Sequence, residues 1–388
     1  MQVPKITLDN NGNIASITTR RTTCTHAHAR KGALLKATVP ALIRHHKYVL
    51  MMPNNGYDND EEGKGITATF ESAYRIYHQI MDVKAQHGIT GFDFPLMTLY
   101  LTDLITPDIV EQIARSKFVF AIKSYPAHGG TTNSGHGIPF DEMSIDVIKA
   151  MIRCNVQLLV HAEDVHDKHG RSIDFEDREG HCVEHRLRPF REKHPDLRIH
   201  GEHASTVQMF ELMEEDKTGK TTLGVTPHHM FLNREALTKS NGNLARNMPY
   251  LKGPEHQEKA IDVVTSGNPN VDAGSDHAPH PYRLKHPGLK LEEAACGCSL
   301  PHAHAMYAKV FLDRNALDHR YIEFTALRGP KRFGLPLPAE DDVITIHADS
   351  VNDIPDPTPV PEENDTVAHL GWTEDPMHPD RMKIGYAI

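Results

Sequence analysis

The chain has 388 residues, of which 39% are hydrophobic and 24% charged, which is typical of a globular protein with a large core. The 52 acidic and 42 basic residues give a net charge of −10, which argues against a nucleic-acid partner. No apolar stretch is long enough for a membrane span, and the N-terminus does not resemble a signal peptide. The five scattered cysteines favour a reducing cytoplasm over a disulfide framework.

Short apolar runs alternate with longer amphipathic segments along most of the chain. Eight strands are predicted, the first ending near Thr25 and the others at Tyr48–Met52, Pro95–Thr102, Phe118–Tyr125, Val156–Val160, Leu197–His200, Thr222–Val225 and Val271–Ala273. Helices are predicted at Leu34–His45, Ala68–His87, Pro107–Ser116, Asp141–Cys154, Phe175–Lys193, Ser205–Glu215 and Pro254–Ser266. This α/β alternation favours a (β/α)8 TIM-type barrel. A doubly wound open sheet is the alternative, although no glycine-rich phosphate loop follows the first strand.

The character of the sequence changes after about residue 340. Residues 353–361 (DIPDPTPVP) are rich in proline, and no helix can run through them. We expect residues 1–340 to form the barrel and residues 341–388 to form an extension that wraps around it. Short strands are predicted in this extension near Val343–His347 and Met382–Tyr386.

His26 and His28 stand where the first predicted strand ends. Residues i and i+2 of a strand point to the same side, so the two imidazoles would form half of a site for a transition metal such as zinc. A polar surface strand is the alternative in a chain with 28 histidines. If the strand geometry continues, Arg30 lies on the same face and could hold an anionic substrate beside the metal.

Polar side chains also follow several of the other predicted strands. In a barrel of this type the catalytic groups lie at the carboxyl ends of the strands. In chain order the set is His26, His28, Asn54, Lys123, His161, His203 and Asp276. Because zinc prefers imidazole and carboxylate ligands, His26, His28 and Asp276 could bind one ion, and His161 and His203 a second. Lys123 would have to be neutral or carboxylated to lie beside two cations; a lysine that reaches solvent is the alternative.

Ten segments carry a resemblance to the amidohydrolase superfamily, and most closely to the single-domain bacterial type of the dihydroorotase family. They are residues 26–30 (HAHAR), 52–54 (MPN), 123–127 (KSYPA), 131–137 (TTNSGHG), 159–163 (LVHAE), 202–203 (EH), 226–229 (TPHH), 276–280 (DHAPH), 296–298 (CGC) and 333–336 (FGLP). The resemblance covers about residues 15–340, and it implies the metal-dependent hydrolase kind of barrel.

The resemblance also implies a reaction. Two zinc ions would be bridged by N6-carboxylated Lys123 and a hydroxide, and Asp276 would act first as general base and then as general acid. The implied activity is reversible hydrolysis of L-dihydroorotate to N-carbamoyl-L-aspartate in pyrimidine synthesis, by a homodimer. Arg30, Asn54 and His280 would hold the substrate carboxylate, and backbone groups of Met248 would contact the ring amide.

Three further features are interpreted in addition to the family pattern. Residues 126–137 are rich in glycine, and we expect a mobile lid that brings Thr131 and Thr132 to the substrate; a disordered surface loop is the alternative. Ser299, just after the two cysteines at 296 and 298, is expected to face the substrate. His302 and His304 repeat the H-x-H spelling, but a predicted helix over His304–Leu312 would splay them, so no metal site is expected there.

Four features depart from the family pattern. The H-x-H motif lacks its usual preceding acidic residue, and Lys31 follows Arg30 where the family usually has an aspartate. Both the lid and segment 281–295 are longer than usual. The last two border the pocket and bear on the choice of substrate. A related cyclic-amide hydrolase of the hydantoinase type therefore remains an alternative. So does a catalytically dead homologue that assembles with a partner enzyme, although the complete ligand set argues against it.

Overall fold

The structure is a computed structural model that describes residues 2–56, 65–126, 131, 134–238, 242–347 and 358–370. Two N-terminal strands, β1 (Lys5–Leu8) and β2 (Ile14–Arg20), form an antiparallel hairpin that precedes the main sheet. Within these ranges the main sheet contains eight strands: β3 (Thr22–Ala27), β4 (His46–Met51), β5 (Phe94–Tyr100), β6 (Val119–Ser124), β7 (Gln157–Val160), β8 (Ile199–Gly201), β9 (Thr221–Val225) and β10 (Val271–Ala273). Each strand pairs in parallel with the next one along the chain.

The sheet closes between its last and first strands. The Asp276 amide donates a hydrogen bond to the His26 carbonyl at 2.9 Å, and the His28 amide donates to the His277 carbonyl at 2.8 Å. The Thr25 hydroxyl also donates to the Ala273 carbonyl at 3.0 Å. These bonds form a seam at the carboxyl ends of the strands, and they confirm the predicted barrel of eight parallel strands.

Helices connect successive strands on the outside of the barrel. In the described ranges they are α1 (Gly32–Arg44), α2 (Phe70–Gln86), α3 (Pro107–Arg115), α4 (Ile145–Cys154), α5 (Arg178–Cys182), α6 (Arg188–Lys193), α7 (Val207–Glu215), α8 (Pro227–Phe231), α9 (Gly242–Ala245), α10 (Pro254–Thr265), α11 (Ala303–Asp313), α12 (His319–Ile322) and α13 (Arg328–Phe333). The predicted start of α4 at Asp141 is wrong, because Ser144 caps the helix by accepting a bond from the Val147 amide. The segment predicted as one helix over Phe175–Lys193 contains α5 and α6, which are separated by a π-helical turn at Val183–Leu187.

Successive side chains of each strand point to opposite faces of the sheet, so the apolar residues form two separate layers. Val49 and Met51 of β4 belong to the large cluster between sheet and helices, whereas Leu50 belongs to a smaller cluster with Ala121 and Leu159. The smaller cluster fills the barrel interior, because its members come from alternate positions on neighbouring strands. Residues two positions further along β6 and β7 continue the same inward row at the carboxyl end, where the polar groups lie.

The C-terminal extension contacts both the N-terminal hairpin and a barrel helix. β11 (Val343–His347) pairs antiparallel with β2, which confirms the strand predicted there. β12 (Thr358–Val360) and β13 (Asp365–Val367) form a second hairpin, whose Val360 and Val367 pack on Leu34 of α1. The strand predicted at Met382–Tyr386 lies outside the described residues. Among the helices of the described segments, none has the length and apolarity that crossing a bilayer requires.

Candidate active site

Three side chains from the two sides of the barrel seam converge on one point. His26 Nε2 and His28 Nε2 each lie 3.2 Å from Asp276 Oδ1. All three side chains are buried, and their possible ligand atoms lie within 4.8 Å of one another. Two imidazole nitrogens and one carboxylate oxygen at this spacing are a donor set that zinc and similar ions prefer. The triad can therefore hold a metal ion.

The other ring nitrogens of these histidines are held by outer partners. His26 Nδ1 bonds Glu202 Oε2 at 2.5 Å, and His28 Nδ1 donates to the Asn54 carbonyl at 3.2 Å. Such bonds fix the ring so that the lone pair of Nε2 faces the point where the triad converges. Burial lowers the pKa of His28 to about 4, so this ring is neutral near pH 7 and able to act as a ligand.

His161 and His203 lie beside the triad. Their ring centroids are 4.4 Å apart, and the His203 ring is 5.1 Å from that of His26. His161 Nε2 bonds Glu163 Oε2 at 2.7 Å, which leaves Nδ1 as the nitrogen for a ligand. His203 Nδ1 is buried without a hydrogen-bond partner in the described residues. The structure thus brings the second predicted pair of ligands next to the first three.

Lys123 lies at the carboxyl end of β6 with its amine inside the barrel. Nζ is buried and has no hydrogen-bond partner among the described residues. Burial lowers the pKa of Lys123 to about 8, although the charges of Glu202 and Asp276 oppose this. A buried amine without a partner is costly, and a lowered pKa supplies the neutral amine that carbon dioxide requires. The surroundings of Lys123 therefore fit the expected carboxylation.

A cavity opens over these groups. Nine of the predicted site residues line it: His26, His28, Arg30, Asn54, Thr131, His161, His203, Met248 and Asp276. Tyr125, Asn247, Ala278 and Cys296 complete the lining among the described residues. The metal triad and the predicted substrate-binding groups therefore share one space.

Arg30 reaches the cavity although the strand does not continue to it. β3 ends at Ala27, and Arg30 has a φ of 57°, in the left-handed region. Its Nε donates to the Pro279 carbonyl at 2.9 Å, and its Nη2 lies 2.9 Å from His280 Nε2. His280 therefore contacts Arg30, and it is not among the described residues that line the cavity. A guanidinium fixed in this way is suited to binding a carboxylate.

Some predicted residues either do not line the cavity or lie outside the described residues. The Ser299 hydroxyl bonds His369 Nδ1 at 2.8 Å, and Ser299 does not line the cavity in the described part of the chain. Thr132 and most of the predicted lid, residues 127–130 and 132–133, lie outside the described residues. The His304 ring is buried and lies 4.6 Å from that of His45.

Four functional candidates were not predicted: Glu163, Glu202, Tyr125 and Asn247. The two glutamates bond predicted ligands, and each stands within two residues of a histidine in the predicted set, which is a usable signal. Asn247 Nδ2 lies 2.7 Å from Asp276 Oδ2 and 2.9 Å from His228 Nε2. Asn247 stands in a connection between helices, where no sequence periodicity marks it.

A closed barrel of eight parallel strands, with histidines, an aspartate and a buried lysine at the carboxyl ends, defines a metal-dependent amidohydrolase. Comparison with known proteins supports this class. The chain is 38% identical over 318 residues to the mitochondrial dihydroorotase of Arabidopsis thaliana, covering 80% of this chain and 78% of that protein. It is 34% identical over 365 residues to the dihydroorotase of Ruegeria pomeroyi, covering 94% and 98%. The chain belongs to the dihydroorotase family.

Solved structures show the same fold. The dihydroorotase of Saccharomyces cerevisiae in complex with 5-fluoroorotic acid superposes with a TM-score of 0.78 at 21% identity, covering 96% of this chain and all of that one. The L-hydantoinase of Arthrobacter aurescens superposes with a TM-score of 0.67 at 15% identity, covering 87% and 77%. No protein-family model matches the sequence.

Proposed function

We propose that this protein is a dihydroorotase that reversibly hydrolyses L-dihydroorotate to N-carbamoyl-L-aspartate in pyrimidine synthesis. The observation that carries this proposal is the position of Arg30. Its guanidinium lines the same cavity as the triad of His26, His28 and Asp276. A cyclic amide that bears a carboxylate can therefore bind Arg30 while its ring amide lies over the metal site.

We propose two zinc ions as the cofactor. His26, His28 and Asp276 would hold one ion, His161 and His203 the other, and carboxylated Lys123 would bridge them. When bound, the ions supply Lewis acidity for the amide carbonyl and for the water that attacks it. The buried amine of Lys123, which has no hydrogen-bond partner in the described part of the chain, and the convergence of the triad support this assignment.

The protein's own groups orient the substrate and move one proton. Arg30 and Asn54 hold the carboxylate and so fix the ring, which places its amide carbon near the triad. Asp276 takes a proton from the attacking water and returns it to the amide nitrogen as the C–N bond breaks. Asn247 holds Asp276 Oδ2, so that Oδ1 faces the imidazoles. In the synthetic direction the same groups act in reverse order and close the ring.

Turnover by the zinc-loaded protein tests the proposal. The ultraviolet amide absorbance of L-dihydroorotate should fall, and cyclic amides without a ring carboxylate should react much more slowly. The proposal fails if a protein with full metal occupancy does not turn over dihydroorotate, or if it prefers rings without the carboxylate, as a hydantoinase would.

Substitution of Arg30 tests the role of the carboxylate. Charge-assisted hydrogen bonds contribute about 1.5–3 kcal/mol, so Arg30→Met should raise KM for dihydroorotate about 10- to 100-fold. Lys31→Met is a matched control, since it removes the neighbouring cation, which does not line the cavity. An equal effect of the two substitutions would exclude a specific contact between Arg30 and the substrate.

We also propose a homodimer in the cytoplasm. All five cysteines lie in the described residues and are free thiols, which supports a reducing compartment. The dimer rests on the resemblance to the family, and light scattering of the purified protein tests it directly.

A further inference from the structure

The C-terminal extension contacts the neighbourhood of the cavity through His369, a residue that the reaction described above does not use. His369 is 5% exposed, and its two ring nitrogens contact hydroxyl groups of different segments. Nδ1 lies 2.8 Å from the Ser299 hydroxyl, and Nε2 lies 3.0 Å from the hydroxyl of Thr358 in β12. The Leu370 amide also donates to the Ser299 carbonyl at 3.0 Å. The extension therefore holds Ser299 by both its side chain and its backbone.

The segment that carries His369 is anchored on the barrel independently of this contact. β12 and β13 pair as a hairpin, and Val360 and Val367 are fully buried against Leu34 of α1. Burial of these apolar side chains fixes the hairpin on α1. His369 therefore joins Ser299 to an element whose position α1 determines.

Ser299 belongs to a segment that pairs with the chain just beyond β10. The Ala278 amide donates to the Cys298 carbonyl at 2.8 Å across this pair. One residue of each segment, Ala278 and Cys296, lines the cavity. The two paired segments therefore form one wall of the cavity, and Ser299 joins this wall to the C-terminal extension.

We propose that His369 is a positioning residue that, through Ser299, holds the cavity wall in the conformation that binds the substrate. Burial lowers the pKa of His369 to about 4, so its ring is neutral near pH 7 and offers one donor and one acceptor to the two hydroxyls. Without this contact the wall has more conformations, and the substrate must order it on binding, which weakens affinity. The bond-breaking step follows binding and does not depend on His369. This inference rests on the proposed dihydroorotase function.

A double-mutant cycle tests whether His369 acts through Ser299. The variants are His369→Ala, Ser299→Ala and the two together, and each is assayed for KM and kcat with dihydroorotate and for bound metal by elemental analysis. Loss of one neutral hydrogen bond should raise KM about two- to tenfold in each single variant, keep kcat within about twofold and leave the metal content unchanged. In the Ser299→Ala background, His369→Ala should have little further effect on KM. His369→Asn places an amide near the position of Nδ1 and should restore most of the substrate affinity.

His194→Ala is the matched control, because it also removes a buried imidazole, which lies at the end of α6 and is not among the described residues that line the cavity. It should lower the free energy of unfolding and leave KM unchanged. If His369→Ala does not fold, Ser299→Ala removes the same bond and must raise KM on its own. Unchanged KM in the folded variants, additive effects of the two substitutions, or an equal rise of KM in His194→Ala would overturn the inference. Absence of dihydroorotate turnover in the wild-type protein would instead overturn the proposed function and, with it, the inference.

Discussion

Replacement of Glu202 by glutamine should weaken metal binding, although Glu202 is not a predicted ligand. The carboxylate is 1% exposed, and its Oε2 lies 2.5 Å from His26 Nδ1. In the metal-free protein burial favours the neutral acid, but the charges of Lys123 and His26 hold the pKa of Glu202 well below its ordinary value. Glu202 is therefore an anion at neutral pH and makes the His26 ring a stronger ligand.

The size of the effect follows from the type of hydrogen bond. A bond to a charged group contributes about 1.5–3 kcal/mol and a neutral one about 0.5–1.5 kcal/mol, so Glu202→Gln should cost somewhat more than 1 kcal/mol. This corresponds to roughly tenfold weaker metal binding, at the lower end of the range for outer partners of metal ligands. Competition between the metal-free protein and a chromogenic chelator near neutral pH measures the Kd.

Glu179→Gln is the matched control for this prediction. Glu179 is also 1% exposed, but its carboxylate accepts bonds from the Ser205 amide at 3.1 Å, and within the described ranges it bonds no predicted ligand. Glu179→Gln should lower the free energy of unfolding and leave the Kd for the metal unchanged. Equal Kd values for wild type and Glu202→Gln, or equal weakening in both variants, would refute the reasoning.

Three further predictions address other groups. Lys123→Ala should lose metal and activity, both partly restored by short carboxylic acids; full metal content without added acid would contradict the bridging role. Asn247→Ala should lower kcat about tenfold with little change in KM, because one donor to Asp276 is lost, and an unchanged kcat would exclude this role. Burial lowers the pKa of His45 to about 4 and of His46 to about 3. The unfolded chain therefore binds more protons below pH ~6.5, and the metal-free protein should lose up to about 1.4 kcal/mol per histidine per pH unit between roughly pH 6 and 4. Urea unfolding at several pH values measures this, and a flat profile would contradict it.

The barrel and the positions of its polar residues could be predicted because both follow from strand periodicity. Each of the eight strands predicted for the barrel overlaps a strand of the main sheet. Lys123 and His161 stand two residues beyond Ala121 and Leu159 of the interior cluster, so a period of two places them inside the barrel. In a closed parallel sheet all such positions meet at one end, whatever their separation in sequence.

Periodicity fails where the backbone leaves the strand conformation. Glu202 and His203 are neighbours, and in a regular strand they would point to opposite sides. His203 has a φ of 40° and turns back toward His161, so both side chains are buried at the site. Arg30 departs from the strand in the same way, with a φ of 57°. Asn247 lies far from any strand, and only tertiary packing brings it to Asp276.

The seam of the barrel sets the order in which the site is assembled during synthesis. His28 and Asp276 are 248 residues apart in the chain, yet their side chains meet across the junction between the first and last strands of the main sheet. At a translation rate of about 5–20 residues per second, the histidine pair is made roughly 12–50 s before its carboxylate partner. During that interval two imidazoles without the third group bind any available ion only weakly. Tight retention of metal therefore begins with closure of the seam, and the full triad is a feature of the finished barrel and not of the emerging chain.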